Sequence, residues 1–430
     1  MRVTYVTAGA AGMICGSCLR DNTLTHELRT LQCDVTLVPV YTPIRTDVEN
    51  ASEDDLLFGG INVYLKEKSK LFRKLPRFLT GWLDHPGIIR RLTASNSIEV
   101  EAGQLGELTL SMLRGENGNQ RNEVKRCVSW MKEKARPDLV NLSNLLIAGF
   151  VPTLKRELNV PVLVTLQGDD LFLEELTELH RPRVLAELRR LAGEVDGFIT
   201  FSEFYAATMS DLLEIPREKF YVVTLGIDTG ELSALQRLKD RPPTIGYFGR
   251  IAPEKGFDRI VDAFIHLHSE DKFGTACLKA GGWLGENNRA FFAAQVNRIE
   301  AAGLGKKFNY IGSPDRKGKL DFLASIDAFS LPTAYREPKG LPVLEALGGG
   351  IPVVQPKHGI FPEMLQKTGG GILTAPGDNG SLAASLGELL HNPEKAVQLG
   401  EEGRTGVREK CTARHMATET LDIYRQFLRS

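Results

Sequence analysis

Short runs of β-branched and apolar residues alternate along this chain with longer stretches whose apolar positions recur every three to four residues. Runs of the first kind suit strands buried on both faces, and stretches of the second kind suit amphipathic helices, so the pattern is that of βα units feeding parallel sheets. It occurs twice. Strands are expected at 2–7, 34–39, 139–142, 161–165, 197–201 and 220–224, and again at 244–248, 276–280, 308–311, 328–332, 352–355 and 371–374. Two such sets predict an α/β protein of two doubly wound domains. A boundary is expected within 235–243, where LQRLKDRPP joins charge to a double proline just ahead of a new strand, giving domains over 1–238 and 239–410. Residues 411–430 carry Met416, Leu421, Ile423, Tyr424, Phe427 and Leu428, which predicts a terminal helix that docks, on this reading, back on the first domain.

At 430 residues and 42% hydrophobic side chains there is material for more than one core. The 53 Lys+Arg against 54 Asp+Glu leave a net charge of −1, which excludes a general polyanion binder and argues against nucleic acid as a partner. That neutrality averages unlike parts. Residues 66–91 hold eight basic side chains against Glu67 and Asp84, interleaved with Leu71, Phe72, Leu75, Phe78, Leu79 and Trp82. Two readings stand: a solvated basic face over a buried apolar stripe, or an interfacial segment that meets an anionic acceptor or the inner face of an anionic membrane. The start, MRVTYVTAGAAGM, lacks the apolar core of a secretory signal, and the run 145–154 is interrupted by Pro152 and about half the length of a membrane span. The chain therefore reads as soluble and cytoplasmic, peripheral to the membrane if the basic segment docks there. Its six cysteines are scattered; Cys15-Gly-Ser-Cys18 has no second pair and no His couple nearby, and reads as two small residues flanking a tight loop ahead of a redox pair or half a zinc site. No metal site is expected from the eight histidines, and no G-x-S-x-G elbow supports a hydrolase.

Three constellations carry chemistry. After the first expected strand come glycines 9, 12 and 16, leading into a helix; small residues let backbone N–H groups approach an anion, although neither the dinucleotide fingerprint nor a Walker A lysine is present. After the first strand of the second half comes Gly246-Tyr-Phe-Gly249-Arg250-Ile-Ala-Pro-Glu-Lys255-Gly256. Ligands of doubly wound sheets bind outside the carboxyl ends of strands, so Arg250 and Lys255 would meet a dianionic diphosphate, the guanidinium as a fork and the ammonium as a point charge; the competing reading is an exposed salt-bridged loop. The third is Arg336-Glu337-Pro-Lys-Gly340-Leu341-Pro342-Val-Leu-Glu345, two carboxylates eight residues apart around a glycine turn and a helix start. Carboxylates accept pairs of hydroxyl hydrogens, which fits sugar and ribose.

These residues carry a resemblance to a known family. Glu337 to Glu345 resembles the E-x7-E motif of retaining glycosyltransferases of family 4, the glycosyl transferases group 1, whose fold is GT-B: two Rossmann-like domains facing across a cleft. GYFGRIAPEKG at 246–256, FITFSEFYAATM at 198–209 and VTLGIDTGEL at 223–232 extend the likeness. The resemblance implies retaining transfer of a sugar from a nucleotide diphosphate sugar, a UDP-sugar ahead of GDP- or ADP-sugars, to a hydroxyl acceptor, with no other cofactor. It implies that Arg250, Lys255 and Glu337 serve the reacting diphosphate and sugar, and that Gly16, Gly249, Gly340, Leu341, Pro342 and Glu345 hold the donor, Glu345 at the ribose. The chain contains no Asp-x-Asp for a diphosphate-bound divalent ion, so cations and helix N-termini are expected to neutralise the charge without metal. Two positions depart from the family: Gln167 stands where many members have His, and Gly16-Ser17 where Gly-Gly is common. Gln167 and Asp21 are placed on the acceptor or sugar side, Asp21 with the alternative of an ordinary surface aspartate. A nucleotide-sugar epimerase and a non-catalytic sugar-nucleotide binding protein are the rival readings.

Overall fold

The computed structural model describes residues 1–9, 16–40, 44, 50–52, 102–269 and 274–429. The basic segment 66–91, Gly12 and Cys15 lie outside the described residues. The chain forms two units, one of Met1–Thr224 with Met416–Ser430 and one of Leu225–His415.

The first unit is built on β1 (Arg2–Thr7), β2 (Asp34–Pro39), β3 (Leu139–Leu142), β4 (Val162–Thr165), β5 (Gly197–Thr200) and β6 (Phe220–Val222), all parallel in the order β2-β1-β3-β4-β5-β6. Every residue of β3, β4 and β5 is buried, because helices cover both faces of a parallel sheet. Val140, Leu142, Val164 and Phe198 share one core with Leu110 and Leu113 of the helix Ala102–Leu113 and with Val184, Leu188 and Leu191 of the helix Arg181–Glu194. Each such side chain contributes about 1.5–3 kcal/mol by leaving water.

The second unit is built on β7 (Thr244–Phe248), β8 (Cys277–Gly281), β9 (Phe308–Tyr310), β10 (Ala328–Phe329), β11 (Val353–Pro356) and β12 (Gly371–Thr374), all parallel in the order β12-β11-β10-β7-β8-β9. The chain leaves β7 toward β8 on one side and later returns to lay β10 on the other, so the winding reverses between β7 and β10 and leaves a crevice at their carboxyl ends. The same reversal falls between β1 and β3 in the first sheet.

The second unit begins at Leu225, ahead of the charged, proline-containing stretch that the sequence marks as a boundary. Local pairing explains it: Ile227 exchanges backbone hydrogen bonds with Cys411 (3.0 Å) and Ala413 (2.7 Å), and Leu238 N donates to Ala324 O at 2.9 Å. The final helix, Ala413–Arg429, belongs to the first unit from Met416 onward. There Glu419 accepts from Thr224 N at 2.6 Å, Phe427 meets Tyr221 edge-on at 5.4 Å, and Tyr424 donates its hydroxyl to buried Asn141 Oδ1 at 3.1 Å. No described helix is long and apolar enough to cross a membrane.

Tyr424→Phe leaves the Asn141 carbonyl, at 0% exposure, without that donor. Chemical denaturation is expected to show a loss of about 1–3 kcal/mol, the cost of a buried polar group deprived of its partner.

Candidate functional site

Loops leaving β7 and β10 meet at the reversal point of the second sheet. β7 ends at Phe248; Gly249 N bonds Gly281 O at 3.0 Å, and after Arg250 the chain makes one 3₁₀ turn, Pro253–Lys255, before the helix Phe257–Ser269. Fully buried Tyr247 fixes this loop from beneath by donating its hydroxyl to Arg250 O at 2.9 Å. Gly256 has φ +74°, and a Cβ there would lie 1.9 Å from Pro332 O on the loop after β10. Only glycine permits that approach. Ala334 N completes the join by donating to Glu254 O at 2.8 Å.

The join places Lys255 on Glu337. Lys255 Nζ donates to Glu337 Oε2 at 2.8 Å and also to the hydroxyl of Tyr335, and it stands 4.7 Å from the centroid of the Tyr335 ring. The Tyr335 hydroxyl in turn donates to Glu337 Oε2 at 2.5 Å, and Glu337 Oε1 accepts from Lys339 N and Gly340 N, both at 3.3 Å. Glu337 is 5% exposed. Burial alone would raise its pKa, but the charge and hydrogen bond of Lys255 and the hydrogen bond of Tyr335 outweigh it and hold the carboxyl at about 2. Burial beside that carboxylate pushes the Tyr335 phenol well above its ordinary value, so it remains a donor. A third loop, after β11, braces the backbone: Ile360 N donates to Glu337 O at 2.8 Å, and at Gly359, with φ +60°, a Cβ would sit 2.5 Å from Glu337 N. His358 on this loop shares a hydrogen bond with Thr333 O at 3.2 Å, and burial lowers its basicity.

Gly340 caps the helix Leu341–Gly348, with Pro342 in its first turn. Glu345 lies in this helix, and its Oε1 accepts from Lys319 Nζ at 2.5 Å; both side chains are nearly buried. Lys319 comes from the helix Arg316–Ala324 and stands 5.7 Å from the centroid of the Phe248 ring at the end of β7. Arg250 behaves differently from Lys255. Its guanidinium donates to Glu254 at 2.5 Å and both side chains are 41% exposed, so an exposed salt-bridged loop describes Arg250 in this structure but not Lys255.

In the first unit, Gly16 is the first, exposed residue of the helix Gly16–Thr30. The surface alternative for Asp21 does not hold: Asp21 is 0% exposed. It pairs with fully buried Arg20 at 2.5 Å and accepts from Thr7 Oγ1 at 3.0 Å, Tyr5 OH at 3.2 Å and Gln167 Nε2 at 3.2 Å. Gln167 Nε2 also donates to Ser143 O at 2.9 Å, so both amide hydrogens are committed within the protein. The Arg20 guanidinium lies 5.1 Å from the Phe201 ring centroid and donates to Tyr5 OH at 2.9 Å. The loop after β4 is fixed as firmly: Asp169 accepts from Leu145 N at 2.6 Å and Gln167 N at 3.0 Å, and burial lifts its pKa to about 6. These groups occupy the reversal point of the first sheet. A cavity of about 280 Å³ lined by Met1, Cys33, Leu421 and Arg425 lies at the other, amino-terminal end of that sheet, away from this network.

Tyr335, Lys319 and Arg20 carry no sign of their role in the sequence. Lys319 sits in a basic run, DRKGK, that looks like solvated surface, and Arg20 in a helix of weak amphipathicity. Among the described residues no group of three His, Cys, Asp or Glu is placed to hold a metal ion.

The family model Glycosyltransferase Family 4 matches residues 58–231, and that of Glycosyl transferases group 1 matches residues 228–406. The glycogen synthase of Mycobacterium tuberculosis is 26% identical over 302 residues, spanning 67% of this chain and 69% of that protein. The MMP alpha-(1->4)-mannosyltransferase of Mycolicibacterium hassiacum is 25% identical over 237 residues, 55% of each chain. In fold, the chain is similar to sucrose-phosphate synthase from Thermosynechococcus elongatus, with a TM-score of 0.73 at 16% identity and 100% coverage of both chains. It is also similar to HepE of Anabaena, solved in complex with UDP and glucose, with a TM-score of 0.69 at 16% identity over 99% of this chain and 100% of that one. The shared fold is GT-B.

Two outcomes test this geometry. Gly256→Ala forces the β7 and β10 loops apart at the 1.9 Å approach to Pro332 O, and the midpoint of thermal unfolding is expected to fall by several degrees, with loss of whatever ligand binding the loops support. Glu337 is more acidic folded than its ordinary 4.5, so its contribution, about 3 kcal/mol in full, is present above pH 4.5 and is lost as pH falls toward 2. In Glu337→Gln the fall of unfolding free energy across that window is expected to be correspondingly shallower in denaturant titrations.

Proposed function

The chain belongs to the glycosyltransferases of family 4, the glycosyl transferases group 1, and from that premise we propose that it moves a sugar from a nucleotide diphosphate sugar to a hydroxyl acceptor, with retention at the anomeric carbon and without a metal ion. The observation that carries this reading is the convergence of Arg250, Lys255, Glu337 and the start of the Leu341–Gly348 helix at the β7/β10 reversal point. Two cations and a helix N-terminus provide for a diphosphate the positive field that metal-dependent enzymes draw from a divalent ion. Arg250 gives up only an exposed pair with Glu254 to reach a phosphate, a small cost. Lys255 gives up a buried one. Glu345, with one oxygen held by Lys319, turns the other to the ribose hydroxyls, and Glu337 faces the sugar.

Glu337 is a poor nucleophile in this setting. With Lys255 turned to the diphosphate, Oε2 still accepts from the Tyr335 hydroxyl and Oε1 from the Lys339 and Gly340 amides, so its lone pairs are engaged within the protein rather than aimed at an anomeric carbon. That supports a front-face reaction, in which the departing phosphate, stabilised by Arg250 and Lys255, takes the acceptor hydroxyl proton as the new glycosidic bond forms on the same face. In the first unit Gln167 and Asp21 shape the loop after β4 from within. A UDP-sugar is the first donor to test, since HepE was solved with UDP-glucose; a GDP-mannose-dependent mannosyltransferase of Mycobacterium tuberculosis among the relatives makes GDP-mannose the second.

Purified protein with either donor is expected to release nucleoside diphosphate only when an acceptor is present, and equally in EDTA. An isomerised donor, or binding without turnover against an acceptor panel, overturns the reading. Arg250→Ala and Lys255→Ala are each expected to raise the barrier by about 2–4 kcal/mol, read as kcat. Glu345→Ala is expected to act chiefly on donor KM.

A further inference from the structure

We propose that Tyr335 is a positioning residue that keeps Glu337 ionised while Lys255 is handed from Glu337 to the donor diphosphate. The proposal rests on the reading of Lys255 as a diphosphate ligand and adds a residue to it.

Among the described residues the Glu337 carboxylate has four donors: Lys255 at 2.8 Å, Tyr335 at 2.5 Å, and the backbone amides of Lys339 and Gly340 at 3.3 Å. When Lys255 turns to a phosphate, its charge and its hydrogen bond leave a carboxylate that is 5% exposed. A buried carboxylate that loses its cation tends to take up a proton. Two long amide contacts are weak protection, and the Tyr335 hydroxyl, short and charge-assisted, is the strong donor that stays. The same hydroxyl accepts from Lys255, and the tyrosine ring faces the ammonium at 4.7 Å, so the lysine has a resting place on either side of the exchange. Tyr335 itself is fixed: its carbonyl accepts from Thr333 Oγ1 at 3.0 Å. The surrounding titratable groups are Arg250 and Glu254 from the β7 loop, Lys339 beside Glu337 and His358 from the β11 loop. The Lys339 charge also favours the ionised carboxyl, but among the described residues the side chains that donate to it are those of Lys255 and Tyr335, so none of these four supplies the hydrogen bond of the phenol.

The handover has a proton signature. In the wild-type protein, UDP-glucose binding without acceptor is expected to take up no protons at pH 5.5, measured calorimetrically in buffers of different ionisation enthalpy. In Tyr335→Phe the same titration is expected to take up roughly half a proton, with affinity several-fold weaker and falling further as pH rises. Tyr335→Phe combined with Glu337→Gln is expected to return the uptake to zero, since the amide cannot protonate. Equal proton counts in wild type and Tyr335→Phe overturn the role of Tyr335 while leaving the diphosphate reading intact. Failure of wild type to bind UDP-glucose, GDP-mannose and ADP-glucose overturns that reading and the handover with it. Should Tyr335→Phe not fold, the wild-type titration decides, because proton uptake there contradicts a carboxylate kept ionised.

Discussion

A buried carboxylate stays charged only if its neighbours replace the water it has lost, and Glu337, a residue 5% exposed, carries such a group. Its replacement comes from two loops, and a third braces them. Lys255 arrives from the loop after β7, Tyr335 and two amides from its own loop after β10, and the backbone brace from the loop after β11. The close approach of Gly256 to Pro332 and the turn at Gly359 are needed because these loops must crowd together for the charge to be satisfied. Removing one partner from such a cluster exposes the full cost of the buried charge, which is why it organises the surrounding backbone.

The sheet topology explains why the crowding happens here. Chain winding reverses between β7 and β10, so the loops leaving these neighbouring strands travel in opposite directions and leave a gap lined by the side chains just beyond the strand ends. Beyond β7 they include the cations Arg250 and Lys255, and beyond β10 the buried acid Glu337. The first sheet repeats the plan between β1 and β3 with another outcome: Arg20, Asp21 and Gln167 close on one another around Tyr5 and Thr7, and the result is a rigid buried network. In the second sheet the groups are paired as well, but through a lysine stem that, on the proposed reading, a diphosphate can claim. Fixed loop geometry combined with a cation free to change partners is what the proposed electrostatic role in diphosphate departure would use.

The strands were legible because each is a short β-branched run that only a doubly covered sheet can bury. All twelve expected runs overlap a strand, among them 2–7, 139–142, 244–248 and 371–374 residue for residue. The expected strand at 328–332 shortens to Ala328–Phe329, since Ser330 Oγ and Leu331 N turn to Val354 and Gln355 as the chain enters the site loop. The spacing of Glu337 and Glu345 and the positions of Arg250 and Lys255 could be read as a candidate site because charged residues recur beside glycine turns at strand ends. Their partners could not. Lys255 and Tyr335 are 80 residues apart, Lys319 and Glu345 are 26 apart, and no local period links them. Asp21 could be read as an acceptor-side group or as an ordinary surface aspartate, and Arg20 drew no reading, because a sequence does not reveal that two adjacent charged residues neutralise each other inside a core.

On the proposed reading the Lys255–Glu337 pair is the resting form of a diphosphate site. A crystal structure of the protein with a bound UDP-sugar tests it most directly. Lys255 Nζ is expected on a phosphate oxygen at the β7/β10 crevice, with the Tyr335 hydroxyl still on Glu337. A diphosphate bound elsewhere, with the Lys255–Glu337 pair intact, would contradict it.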